Sequence, residues 1–178
     1  MRSRYKVTPE TNIYFITTSV HLWVPILFNE TLFQIILDSL KYCQSNKELR
    51  LHGYVIMTNH VHAIISHEAH DQIPNIVRDF KRHTATEIKN YLSNLGRFSQ
   101  LFWVKIFHNK EQGQNKIWQE GYHPEAIKSK VFFDQKLDYI HYNPVKKGFV
   151  VQPEHWKYSS ARNYLLGDES LIVIDKIE

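Results

Sequence analysis

Two histidines, His60 and His62, stand two residues apart inside the apolar segment YVIMTNHVHAIIS, residues 54–66. In a strand, residues i and i+2 project from the same face, so this spacing sets two imidazoles side by side. Two adjacent neutral imidazoles are half of a divalent-metal site; without a third ligand they read equally well as partly buried structural histidines. Flanking Val55, Ile56, Val61, Ile64 and Ile65 make the strand central and stiff, a suitable platform for a site. Further along, Tyr139 and Asn143 lie four apart in KLDYIHYNPV, residues 136–145, which stacks them on one helix face. Lys136, three residues before the tyrosine, shares that face, while Leu137 and Ile140 point to the core. A phenol beside a carboxamide oxygen makes chemical sense if both meet a metal-bound phosphate. At its ordinary pKa of about 10 the phenol is a poor nucleophile and needs a polarised phosphodiester or a nearby base. A lone helical tyrosine is more commonly an amphipathic residue at the edge of a core.

These side chains need elements to hold them, and the hydrophobic pattern outlines a set. Residues Asn12 to Val20 are β-branched and aromatic and predict a strand. From Glu30 to Asn46, Phe33, Ile36, Leu37 and Leu40 recur at helical spacing. Leu49–Met57 and His60–Ser66 predict a hairpin turning at Thr58-Asn59. Asp71 is expected to cap a second helix, with Pro74 in its first turn and a stripe of Ile73, Ile76, Val77, Phe80, Thr84, Ile88, Tyr91 and Leu92. Gly96 to Lys116 is aromatic but irregular. Ile117–Lys128 predicts a fourth strand, broken near Gly121 and Pro124. A third helix is expected from Lys130 to Asn143, ended by Pro144 and Gly148, and a short one from Ser159 to Leu166. The order β-α-β-β-α-β plus a helix predicts an α+β fold. It is a ferredoxin-like sandwich, an antiparallel sheet with helices on one face, and a C-terminal helix carrying Tyr139. One domain is expected over residues 1–178.

Composition narrows the class. Hydrophobic residues make up 43% and aromatics 13% of 178 residues, enough for a packed core. The net charge of +4 and pI near 9.0 suit a polyanionic partner. Cys43 is the only cysteine, which rules out an intramolecular disulfide and reads as helix filler in a reducing, cytoplasmic setting. Neither a signal peptide nor an apolar run of membrane-spanning length is read in the sequence. The His-Glu-x-x-His pattern of zinc peptidases is absent, and one His-x-His copy does not meet the paired motifs of a cyclic phosphodiesterase. Two stretches offer contacts for a nucleic acid. Arg78, Lys81, Arg82, His83 and Lys89 lie opposite the second helix's apolar stripe, where they track phosphates or simply solvate the helix. Phe98, Phe102, Trp103 and Phe107 interleave with Arg97, Lys105 and His108, a mixture that stacks bases or packs a core.

Four stretches carry a family resemblance: YFITTSV at 14–20, YVIMTNHVHAII at 54–65, IWQEGYHPEAIKS at 117–129 and LDYIHYNPVKKGFVVQPEHWKYSSARNY at 137–164. In these the chain resembles the HUH-type single-tyrosine transposases and, within them, the REP-associated tyrosine transposases. The resemblance implies that His60 and His62 are the metal-binding pair, Tyr139 the nucleophile and Asn143 the third protein ligand. It implies a divalent metal, Mg²⁺ or Mn²⁺, and no nucleotide cofactor. The implied activity is a single-stranded DNA nuclease and strand transferase acting at DNA hairpins through a 5′-phosphotyrosine, with Lys136 stabilising developing charge. A non-catalytic hairpin DNA- or RNA-binding protein on the same scaffold is the alternative. Rolling-circle initiators share the histidine pair but lack the Asn-Pro-Val tract. Thr58 departs from the family, which often has proline before Asn59, and no arginine cluster follows Ser19. Monomer and homodimer both remain open, since relatives include both.

Overall fold

Alternation along β1, Ile13–Ser19, decides how the molecule is layered. Tyr14 and Ile16 join one apolar cluster, while Phe15 between them joins another. The sheet is therefore covered on both faces. The computed structural model describes residue 7 and residues 11–96, 108–109 and 114–177. Helix α1, Glu30–Lys47, starts where the Asn29 side chain accepts a bond from Leu32 N at 3.1 Å. Strands β2, Arg50–Ile56, and β3, His60–Ser66, form a hairpin closed by Met57 N donating to His60 O at 2.8 Å. The two-residue turn at Thr58-Asn59 therefore forms without the proline. Helix α2, Ile73–Ser93, follows, then the short paired strands β4, His108–Asn109, and β5, Gln114–Asn115. Strand β6, Glu125–Ala126, leads into α3, Lys130–Lys146, and α4, Ala161–Leu165, comes last.

The four-stranded antiparallel sheet has the order β2-β3-β1-β6, as expected for a ferredoxin-like βαββαβ chain. Apolar residues of α1 and α2, from Leu32 to Cys43 and from Ile73 to Leu92, pack on Tyr14, Ile16, Val61, Ala63 and Ile65. On the other face α3 packs through Phe133 and Ile140 against Phe15, Val55 and Ile64. A bulge between Leu51 and Gly53 shifts the register of β2. A Cβ at Gly53 would meet Leu137 Cδ1 at 2.7 Å, so this glycine lets α3 approach the sheet closely.

Two boundaries differ from expectation. Helix α3 continues through Pro144 to Lys146: the proline withholds one donor, and Lys147 N still reaches Asn143 O at 3.1 Å. Helix α2 has Gln72, not Asp71, at its N-cap, since a 3₁₀ turn over His70–Gln72 runs straight into Ile73. The segment around β6 is broken as expected: Trp118 bridges Val20 and Ala126 pairs with Tyr14, with Gly121 at positive φ between them. The C-terminal tail lines the outer edge of β2, with Ile56 N bonded to Tyr158 O and Asp175 N to Leu51 O, both at 2.9 Å. Among the described residues no helix is long and apolar enough to cross a membrane.

Candidate active site

Strand register brings the first components together. His60 lies opposite Ser19 and His62 opposite Thr17, on the sheet face that α3 covers. The two rings stand 4.7 Å apart, centroid to centroid, at 71°. His60 Nδ1 is 2.7 Å from Asn59 Oδ1, an oxygen that only accepts, so the proton sits on Nδ1 and Nε2 keeps its lone pair. His62 Nδ1 is 2.8 Å from Thr17 Oγ1, a hydroxyl that can take the same kind of bond and leave the second Nε2 unprotonated. Burial, reinforced by the Lys147 ammonium, pushes the His60 pKa down to about 4. Burial, then His60 and Lys136, pushes His62 down to about 3. Both imidazoles are neutral near pH 7, the state a metal ligand requires.

Helix α3 brings the remainder. The Tyr139 ring lies 5.2 Å from His62 and 5.9 Å from Phe15, edge-on to both, and remains 42% exposed. Tyr139 and Asn143 stand four residues apart on one face of α3. Asn143 is only 5% exposed, and its Oδ1 has no hydrogen-bond partner. A buried amide oxygen is rarely left unpaired, because its desolvation is not offset. Two neutral nitrogens and one such oxygen are a donor set that fits a divalent ion. Among the described residues no cluster of three His, Cys, Asp or Glu competes for that role.

Lys136 stands one ring away from the pair. Its Nζ is 2.7 Å from Glu125 Oε2 and 4.5 Å from the Phe15 centroid, and Phe15 stacks on His62 at 5.3 Å. The other basic candidates are not brought here. Arg78 and Arg82 lie on α2, across the sheet, each with a guanidinium nitrogen 3.3 Å from Asp79 Oδ1. The Lys81 ammonium donates to Gln119 O at 2.7 Å and to Gly121 O, holding the approach to β6, and burial lowers its pKa to about 8. Phe98, Phe102, Trp103 and Phe107, with Arg97, Lys105 and the His108 side chain, lie outside the described residues. Sequence reasoning missed Thr17, Asn59 and Trp23, which hold or flank the imidazoles, and Lys146, whose Nζ is 5.9 Å from the Tyr139 centroid. Only Asn59 carried a signal, its place next to His60.

Residues 21–143 match the family model described as "Transposase IS200 like", a stretch that takes in His60, His62, Tyr139 and Asn143. The chain belongs to the IS200-like transposase family. Within that family it is similar to a Haemophilus influenzae protein named as a REP-associated tyrosine transposase, with 27% identity over 110 residues. The match takes in 59% of this chain and 54% of the relative, so the chain spans about half the length of the curated relative it matches. A solved REP-associated tyrosine transposase bound to a REP hairpin superposes with a TM-score of 0.69 at 20% identity, over 100% of this chain and 92% of the other. At that identity the likeness is one of fold. The IS200-like chain thus meets the resemblance and the fold expected from its motifs.

Proposed function

We propose that this IS200-like protein is a metal-dependent single-stranded DNA nuclease and strand transferase that acts at DNA hairpins through a 5′-phosphotyrosine. The observation that carries the reading is the buried Asn143 Oδ1, which has no hydrogen-bond partner and lies one helical turn from the half-exposed Tyr139, whose ring is 5.2 Å from His62. His60 Nε2, His62 Nε2 and Asn143 Oδ1 would hold Mg²⁺ or Mn²⁺. When bound, such an ion supplies Lewis-acid polarisation of the scissile phosphate. Asn59 fixes the His60 tautomer, Thr17 orients the His62 ring, and Phe15 and His62 hold the Tyr139 ring edge-on. The Tyr139 oxygen attacks phosphorus, forming a Tyr–O–P bond as the P–O3′ bond breaks. The phenol gives up its proton and the departing 3′-oxygen takes one. One phosphodiester replaces another, so a second 3′-hydroxyl can reverse the step. Contact with the DNA backbone falls to Lys136, Lys146 and Lys147, on the tyrosine side of the sheet. Hairpin DNA is the proposed partner because a relative of the same fold was solved with a REP hairpin.

The test is incubation with single-stranded hairpin DNA and Mn²⁺ or Mg²⁺, read as a covalent adduct on a denaturing gel. The adduct should form with the native chain and vanish in Tyr139→Phe, while hairpin binding survives because the ring still packs. Hairpin binding without an adduct in either metal would instead make the protein a hairpin-binding relative.

A further inference from the structure

Directly after β1 the chain turns through His21–Trp23, and Leu22 and Trp23 both sit at positive φ, 57° and 58°. Two successive non-glycine residues in the left-handed region are strained backbone, which persists only where surrounding bonds impose it. Here they do. His21 N donates to Ile117 O at 2.7 Å, Val20 N to Asn59 O at 2.8 Å and Leu27 N to Thr58 O at 2.9 Å. Asn59 makes the decisive link: its Oδ1 holds His60 Nδ1 while its Nδ2 donates to the Trp23 carbonyl at 3.2 Å. The strain sets an indole against His60, ring centroids 5.6 Å apart and tilted by 59°, with 53% of the residue open to solvent. Leu22 beside it is also exposed. Packing does not explain so large an aromatic left out of the core at the rim of a site.

We propose that Trp23 is a stacking platform for one unpaired base of the DNA strand, fixing the nucleotide that lies beside the scissile phosphate. This rests on the single-stranded DNA reading above. An exposed indole face accepts any base, because every base has a π-face, and it positions a strand without reading its sequence. The platform and the metal-facing histidine are joined by one amide, so a base held on Trp23 is held in a fixed relation to His60.

The probe is a single-stranded DNA hairpin with unpaired flanks, in which one abasic site is walked along each flank. Binding is measured in the Tyr139→Phe background, so that no cleavage intervenes. Trp23→Ala should weaken binding about tenfold, in the range of one lost base–aromatic stack, and Trp23→Leu about as much. Trp23→Phe should stay within about threefold of the parent. The abasic walk should find one position where base removal costs the parent about tenfold and costs Trp23→Ala nothing further. Mn²⁺ affinity should be unchanged in all three variants, since the Asn59 contact is to the Trp23 backbone carbonyl. If the parent binds the hairpin but the Trp23 and abasic losses multiply at every position, the platform is overturned and the nuclease reading stands. If the parent binds no hairpin in any form, the reading beneath it falls as well.

Discussion

At the residue scale the site depends on atoms that do not face the substrate. Asn59 Oδ1 accepts from the Nδ1–H of His60 and leaves its Nε2 free, and the Thr17 hydroxyl engages Nδ1 of His62. Removing either imidazole removes half the nitrogen donors, so His60→Ala and His62→Ala should each abolish most Mn²⁺ affinity in a calorimetric titration. Asn143→Ala should weaken it less, because water can replace one amide oxygen. Asn59→Ala should cost about 10- to 100-fold in metal affinity, the usual effect of losing a partner behind a ligand. Undiminished binding in both histidine variants would place the metal elsewhere. The pair was legible in the sequence because i, i+2 spacing is sufficient to put two side chains on one face of a strand. Thr17 was not, because its place beside His62 depends on the β1–β3 register, which no local pattern encodes.

At the scale of elements, α3 carries Tyr139, the proposed nucleophile, and is held to the sheet by a close approach at Gly53. Gly53→Val would overpack that contact against Leu137, and overpacking typically costs about 1–3 kcal/mol. It should lower the melting temperature and slow adduct formation, with partial recovery when Leu137→Ala is added; a lack of recovery would show that the two do not share the space. A second anchor is His141, whose Nε2 lies 3.0 Å from Ser160 Oγ and whose pKa burial pushes down to about 4. Its folded pKa lies below the unfolded value of about 6.5, so its contribution is full above that pH and is lost as pH falls through about 4. His52, His60 and His62 are shifted the same way and add to the trend. Denaturant titrations across that window should show falling stability, and His141→Asn should flatten the slope. The existence of α3 was expected from its position before Pro144 and Gly148. Its end was misplaced because proline withholds one donor and crowds the preceding turn, which disfavours the continuation of a helix without forbidding it.

At the scale of the whole molecule, the candidate site lies between a sheet face and α3, and on the proposed reading a phosphate would have to bend into it. A perfect duplex holds its phosphates in a rod with a persistence length of about 150 base pairs. Matched oligonucleotides at one salt concentration should therefore show cleavage of single-stranded or hairpin-flanking DNA and little of the paired duplex. RNA should react poorly, because its stems adopt A-form geometry. Equal cleavage of duplex and hairpin would favour a general nuclease. The βαββαβ order was legible from strand and helix periods, whereas the tail's path along β2 was not, since its bonds run through backbone atoms more than a hundred residues apart. That path has a consequence for biosynthesis. The hairpin edge bearing Leu51, Tyr54 and Val55 is made early, but the residues that bond to it, Tyr158, Ser160 and Asp175, are made more than a hundred residues later. At translation rates of about 5–20 residues per second, the edge stays bare on the ribosome for on the order of ten seconds. During that interval neighbouring nascent chains on one message can pair with it, so slow elongation should raise the insoluble fraction of this protein more than its finished stability would suggest.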